Sequence, residues 1–186
     1  FFFKQKTAYE ILTCDWSSDV CSSDLTIEDP SVKLTKYPSD LMERFRKVAG
    51  DDYDEFVSGC ESIGLDLKTA VRQLYSESGF SPEVINCNRK SSAGAMGIAQ
   101  FMPSTWSYYG NGSPCNVSDS LKAYIKLMRD HLDKFPGRPD LAISGYNSGP
   151  NLKAYKDALK NDTPFEDLKG KIPNQSYMYT VSIFQA

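Results

Sequence analysis

The sequence predicts a mainly α fold, a compact multi-helix domain with at most a small β-hairpin. Three observations carry this. Apolar residues recur at helical spacing through most of the chain after residue 38. β-branched alternation is scarce. Gly and Pro fall where helices would stop. With 186 residues and 40% hydrophobic content, the chain is long enough for one domain with a real core. No run of 18 apolar residues occurs, so no transmembrane segment is expected.

The leading residues read differently. Phe1-Phe2-Phe3-Lys4-Gln5-Lys6 has no initiator Met, and Ile11 to Leu25 keeps neither helical nor strand period. The string from Phe1 to Leu25 resembles a translated sequencing-adapter read-through, so residues 1–25 are expected to lie outside the native protein. Thr26 to Pro38 is polar, with Pro30 and Pro38, and is expected to be linker. The domain is expected to span 39–186, and the abrupt end at Ala186 leaves room for a further domain.

Within that span, Ser39 is a candidate N-cap for a helix from Asp40 to Ala49, with Leu41, Phe45 and Val48 on one face. Asp51 to Ser62 forms a second, with Tyr53, Phe56, Val57 and Cys60 on one side and Gly64 at its end. Asp66 to Ser78 follows, its stripe being Leu67, Ala70, Val71, Leu74 and Tyr75. Gly79 and Pro82 stop it. A hairpin is expected near residues 84–97, if anywhere. Ile98 to Met102 reads as one helical turn ended by Pro103, and Ser104 to Tyr109 as a short helix. Val117 to Phe135 is the longest helix, with Leu121, Tyr124, Ile125, Met128 and Leu132 inward and His131 on the polar face. Pro139 to Asn147, Pro150 to Asn161 and Ser176 to Phe184 complete the set.

Charge excludes one class of partner. The chain holds 21 Lys and Arg against 24 Asp and Glu. The leading segment contributes Lys4 and Lys6 against Glu10, Asp15, Asp19 and Asp24, so the remainder is near neutral and nucleic acid is not expected as a partner. His131 has no His or Cys at ligand spacing, so no metal site and no cofactor are expected. Past residue 25 the cysteines are Cys60, Cys87 and Cys115. Cys60 reads as a small core residue. Cys87 and Cys115 lie in loop-like sequence, and spacing alone leaves a disulfide and free thiols equally open.

Chemistry concentrates at Glu77. This acid ends a helix, and from there the chain runs from Glu83 to Asp119 with no Asp or Glu between them. A carboxyl so placed can be desolvated and kept protonated near neutral pH, as a general acid requires. A lone Glu at a helix end is far more often simply solvated, so the flanking sequence decides.

That sequence comprises Glu77-Ser78-Gly79-Phe80, then Gly94-Ala95-Met96-Gly97-Ile98-Ala99-Gln100-Phe101-Met102-Pro103-Ser104-Thr105-Trp106, then Ala142-Ile143-Ser144-Gly145-Tyr146-Asn147-Ser148-Gly149-Pro150. In this order the motifs resemble the soluble lytic transglycosylase (SLT) family, lysozyme-like domains of the α+β superfamily that cleave bacterial peptidoglycan. The resemblance covers roughly residues 36–186. The Gly-Ile-Ala-Gln-Phe-Met-Pro wording is most similar to members from conjugative elements and phages, which implies a secretion or phage-tail assembly as a partner. It leaves a housekeeping cell-wall role open.

The resemblance implies that Glu77 is the catalytic acid and that Ser78, Met96, Gly97, Ile98, Gln100, Tyr146, Asn147 and Tyr179 bind substrate. Each has a plainer alternative. Ser78 can cap a helix end, Gly94 and Gly97 can make turns, and Met96 and Ile98 can merely wall the cleft. Tyr146 offers a polar end for which Glu77 is a natural partner. Around Tyr177-Met178-Tyr179 the match is weaker, because Gln175-Ser176 replaces the family's acid-Thr pair; the family Tyr is placed at Tyr179 rather than Tyr177. Trp106, Tyr108 and Tyr109 are open to sugar stacking or to core packing.

Related goose-type lysozymes carry an Asp two residues after the motif Gln and another nine before it. Here those places are Met102 and Ser91. The pattern therefore fits the lytic transglycosylases, which form 1,6-anhydromuramoyl products, better than a two-carboxylate muramidase. A muramidase using Asp119, or a non-catalytic wall-binding domain, remains the alternative. The implied setting is the cell envelope, periplasmic or extracellular, although no secretory signal peptide is visible.

Overall fold

The computed structural model describes residues 37–184. The expectations for residues 1–25 and for nearly all of the linker fall outside the described residues. The rest is helical as expected, and among the described residues the β-pairing is a single isolated bridge, Met96 to Phe101.

Helix α1 (Leu41–Ala49) has Asp40 rather than Ser39 at its N-cap, one residue later than expected. The Asp40 carboxylate caps no backbone N–H because Arg44, one turn on, donates to it at 2.8 Å. A 3-10 turn (Gly50–Asp52) leads into α2 (Tyr53–Ser62), whose Phe56 and Cys60 enter the core. Burial pushes the Cys60 thiol up to about 12, so it stays a neutral, small apolar residue.

Helix α3 (Leu67–Ser78) lies at the centre. The Asp66 carboxylate caps it by accepting from the Thr69 N–H at 2.8 Å, and Gly79 closes it in the left-handed region at φ +59°. An amphipathic stripe is too modest a description: Thr69 to Leu74 and Ser76 to Ser78 are all buried, so polar residues are interior too. Helices α1 and α2 flank it on one side. On the other lies α9 (Asn174–Phe184), where Arg72 Nη1 donates to the Ile183 carbonyl at 2.9 Å.

The small hairpin that the sequence allowed for at 84–97 does not form. Ser81 and Pro82 instead start a short helix, α4 (Pro82–Ile85), because Pro at the first helical position is preset for helix and cannot donate to a strand ladder. Nor is Ile98 to Met102 a helical turn. Met96 and Phe101 exchange both backbone hydrogen bonds, at 3.0 and 2.8 Å, and the residues between them make a tight loop. Left-handed Gly97 (φ +74°) and Gln100 (φ +51°) turn the chain there, which a helix cannot accommodate.

Helix α5 (Pro103–Tyr109) follows, and then α6 (Val117–Lys134), capped by Asn116 accepting from the Asp119 N–H at 3.0 Å. The expectation that His131 sits on the polar face of α6 is wrong. It is buried, its Nδ1 lies 3.1 Å from the Ala142 carbonyl, and its ring meets Tyr146 edge-on. Helix α7 (Pro139–Ser148) covers that side of α6, so the face is interior. Helix α8 (Lys153–Lys160) and a 3-10 turn (Phe165–Leu168) return the chain to α9, which packs chiefly on α7.

Candidate active site

Glu77 is one residue from the end of α3 and has no exposed surface. Its Oε1 accepts a hydrogen bond from the Tyr179 hydroxyl at 2.5 Å, across 102 residues of sequence. Tyr179 is also buried, and burial followed by the Glu77 carboxylate holds its phenol well above the usual tyrosine range. It is therefore a neutral donor at any working pH. Tyr177, two residues earlier, lies flat against Phe165 at 5.5 Å, away from this bond.

The loop from Met96 to Phe101 is built tightly. A Cβ on Gly97 would stand 1.8 Å from the Pro114 carbonyl oxygen, so only glycine lets the two backbones approach. Gln100, wholly buried, carries a strained left-handed backbone. Its N–H and its Nε2 both donate to the Gly97 carbonyl, at 3.2 and 3.0 Å, and this pair of hydrogen bonds holds the conformation. Ile98 is also wholly buried and belongs to the core, whereas Met96 is half-buried. Behind the loop, Cys87 and Cys115 form a disulfide that ties the 113–116 segment to the turn after α4. This resolves the cysteine alternatives left open by spacing.

Helix α7 brings Tyr146 and Asn147, both buried. The Tyr146 hydroxyl donates to the Ala99 carbonyl at 2.5 Å, tying the motif loop to α7. The Asn147 Oδ1 accepts from Ser176 at 2.8 Å, which fixes the amide, and its Nδ2 has no hydrogen-bond partner among the described residues. Ser78 looks inward: its hydroxyl donates to the Leu74 carbonyl and accepts from the Phe80 N–H, at 3.1 and 3.2 Å. That is the helix-capping geometry.

The aromatic residues after the loop divide. Trp106 packs edge-on against Phe101, and Tyr109 donates to Asp130 at 2.8 Å. Tyr108 is 78% exposed.

Asp119, the second carboxylate considered from the sequence, is committed elsewhere. Asp119 Oδ2 accepts from the Ser113 N–H at 2.9 Å, and it stands under the turn at Gly112. Ser91, at one of the lysozyme carboxylate places, is buried and accepts from the Ala95 N–H at 2.9 Å. Met102, at the other, precedes α5. Among the described residues no cluster of three or more His, Cys, Asp or Glu is placed to hold a metal ion.

Sequence reasoning overlooked two buried polar residues. Gln73, one turn before Glu77, accepts from the Tyr124 hydroxyl at 2.7 Å, and Arg72 anchors the end of α9. A helix that ought to have an exposed polar face, yet carries Arg and Gln beside an all-apolar stripe, is the available signal. It is read correctly only once α9 is known to cover that face.

A sequence model described as the transglycosylase SLT domain matches residues 62–168, from the end of α2 through the 3-10 turn after α8. The match includes Glu77, the Met96–Phe101 loop and Asn147, and stops before Tyr179. Covering more than half of the sequence, it establishes that the chain belongs to the transglycosylase SLT domain family.

Proposed function

We propose that the protein is a peptidoglycan lytic transglycosylase that cleaves the bond between N-acetylmuramic acid and N-acetylglucosamine, with Glu77 as its single acid and base. The observation that carries this is the wholly buried Glu77 carboxyl, bonded to the Tyr179 hydroxyl, with the lysozyme carboxylate places filled by Ser91 and Met102. Burial favours the neutral acid, and the Tyr179 donor favours the carboxylate. A residue that must serve in both forms needs those opposing pulls.

The reaction reads as follows. Glu77 gives its proton to the glycosidic oxygen, and the bond from that oxygen to the muramoyl C1 breaks. The substrate's N-acetyl group stabilises the positive charge developing at C1. The Glu77 carboxylate then takes the proton from the C6 hydroxyl as its oxygen attacks C1. A 1,6-anhydromuramoyl end forms, the proton returns to Glu77, and no water is consumed. Tyr179 holds the carboxyl in one orientation throughout.

The remaining residues take supporting roles. The Asn147 Nδ2, buried without a partner, suits a carbonyl or hydroxyl oxygen of the sugar. Gln100 and Gly97 shape the loop that meets the glycan, with Met96 as its apolar wall and Ile98 packed behind it in the core. Tyr146 braces the loop through Ala99, and Ser78 seals the helix end beneath the acid. The Cys87–Cys115 disulfide fits an oxidising compartment, which supports action at the cell envelope. Among the described residues no helix is long and apolar enough to cross a membrane.

Purified peptidoglycan digested with the wild type and with Glu77→Gln tests the reading. Loss of soluble products in the variant, at an unchanged melting temperature, is the expected result. Retained cleavage would overturn it.

A further inference from the structure

Gln73 is a costly residue to place where it stands. It lies on α3 with no exposed surface, in a core where a Leu or Met would satisfy packing without a polar group. Its Oε1 accepts from the Tyr124 hydroxyl at 2.7 Å, which fixes the amide plane and turns Nε2 away from Tyr124. That Nε2 is buried and has no hydrogen-bond partner among the described residues. Tyr124, held well above the tyrosine range chiefly by burial, cannot ionise to accept from it at any working pH.

Geometry names the group this donor serves. Gln73 and Glu77 are four residues apart on one helix, so they share a face. Helical side chains lean toward the N-terminus, so the Glu77 carboxyl reaches back over the turn that carries Gln73. The Glu77 carboxylate is also among the groups that raise Tyr124, which puts Gln73's own partner in the same buried neighbourhood.

We propose that Gln73 is a positioning residue whose Nε2 amide donates to the Glu77 carboxylate when that group is ionised, with Tyr124 fixing the amide for the task. In the reaction this matters in the interval after Glu77 has given up its proton and before it recovers one. The donor stabilises the anion in an interior that otherwise disfavours it, so it tunes the pH at which the acid form is lost. The proposal rests on Glu77 being the catalytic acid only for its effect on rate; the coupling between Gln73 and Glu77 stands apart from that.

The test uses the full chain carrying ¹³C-labelled glutamate side chains. The Glu77 carboxyl resonance is identified by its absence in Glu77→Gln, then titrated in wild type, Gln73→Met and Tyr124→Phe. Gln73→Met keeps the volume and removes the donor. It is expected to raise the midpoint of the Glu77 titration by about one pH unit, a tenfold change in the ionisation constant. Tyr124→Phe, which frees the amide to turn, is expected to shift it in the same direction by less. The alkaline limb of kcat on peptidoglycan is expected to move with the titration while KM stays put. An unmoved Glu77 midpoint in Gln73→Met overturns the proposal, whatever the rate does. Should Gln73→Met fail to fold, an unmoved midpoint in Tyr124→Phe overturns it equally. Should Glu77→Gln keep its activity while the midpoint still shifts, the catalytic reading of Glu77 falls and the Gln73 coupling survives.

Discussion

Replacing Gly97 by Ala probes the most tightly specified part of the site. The new Cβ would lie 1.8 Å from the Pro114 carbonyl oxygen and 2.9 Å from its carbon, both of them backbone atoms. Relief requires the two chains to part by about 1 Å or more. Neither is free to do so. The Gly97 side is held by the Met96–Phe101 bridge and by Gln100, and the Pro114 side by the neighbouring Cys115 disulfide. Overpacking of this kind costs about 1–3 kcal/mol. Placing Ala at φ +74° adds about 1–2 kcal/mol. The expected loss is therefore roughly 2–5 kcal/mol, or a fall in Tm of about 4–20 °C for a domain of this size. Activity suffers separately, because Gln100 and Met96 move with the loop; a 1 Å misplacement near the chemistry costs on the order of 100-fold in kcat/KM.

Urea unfolding and peptidoglycan turnover measure the two effects in one preparation. A double-mutant cycle with Cys87→Ala and Cys115→Ala then asks whether the strain is carried by the tether. With the disulfide gone, the cost of Gly97→Ala is expected to fall by about 1 kcal/mol or more. A Gly97→Ala variant that loses under about 1 kcal/mol and keeps its activity would refute the close approach of the two loops.

Two further predictions concern hydroxyl donation and pH. Tyr179→Phe removes the donor to Glu77. A hydrogen bond to a charged acceptor exceeds a neutral one by roughly 1 kcal/mol, so the alkaline limb of kcat should rise by about one pH unit. Tyr177→Phe, stacked on Phe165, should leave it in place, and equal shifts in both variants would contradict the assignment of Tyr179. His131 is lowered to about 4 in the fold, chiefly by burial, from an ordinary value of 6.5. Between those values the unfolded chain binds the extra proton, so stability is full above pH 6.5 and falls as the pH drops toward 4. The loss from this one group is about 3 kcal/mol, levelling off below pH 4. Urea unfolding of wild type and His131→Leu across that range checks it, and identical slopes would contradict it.

Most of the helices were legible because each has a stop signal in the sequence. Gly79 after α3 and Pro103 at α5 mark boundaries through backbone chemistry that acts locally. The errors arise where tertiary contacts override local pattern. His131 reads as polar-facing until α7 is known to cover it. The Met96–Phe101 segment has the length and apolar content of a helical turn, but its geometry is set by the approach of Pro114, far along the chain. Glu77 was legible as a candidate through its neighbours, and its burial beneath α9 was not. Tyr179, bonded to the acid, comes from a motif position, whereas the buried Gln73–Tyr124 pair comes from residues that no motif marks.

The central claim is that Glu77 acts alone, as acid and then base, without water. Mass spectrometry of the products released from purified peptidoglycan tests it most directly. Wild type should yield muramoyl ends lighter by one water than reducing ends, and Glu77→Gln should yield none of them. Reducing ends from the wild type would instead mean hydrolysis, a water positioned by a second group, and an account of this site that is wrong.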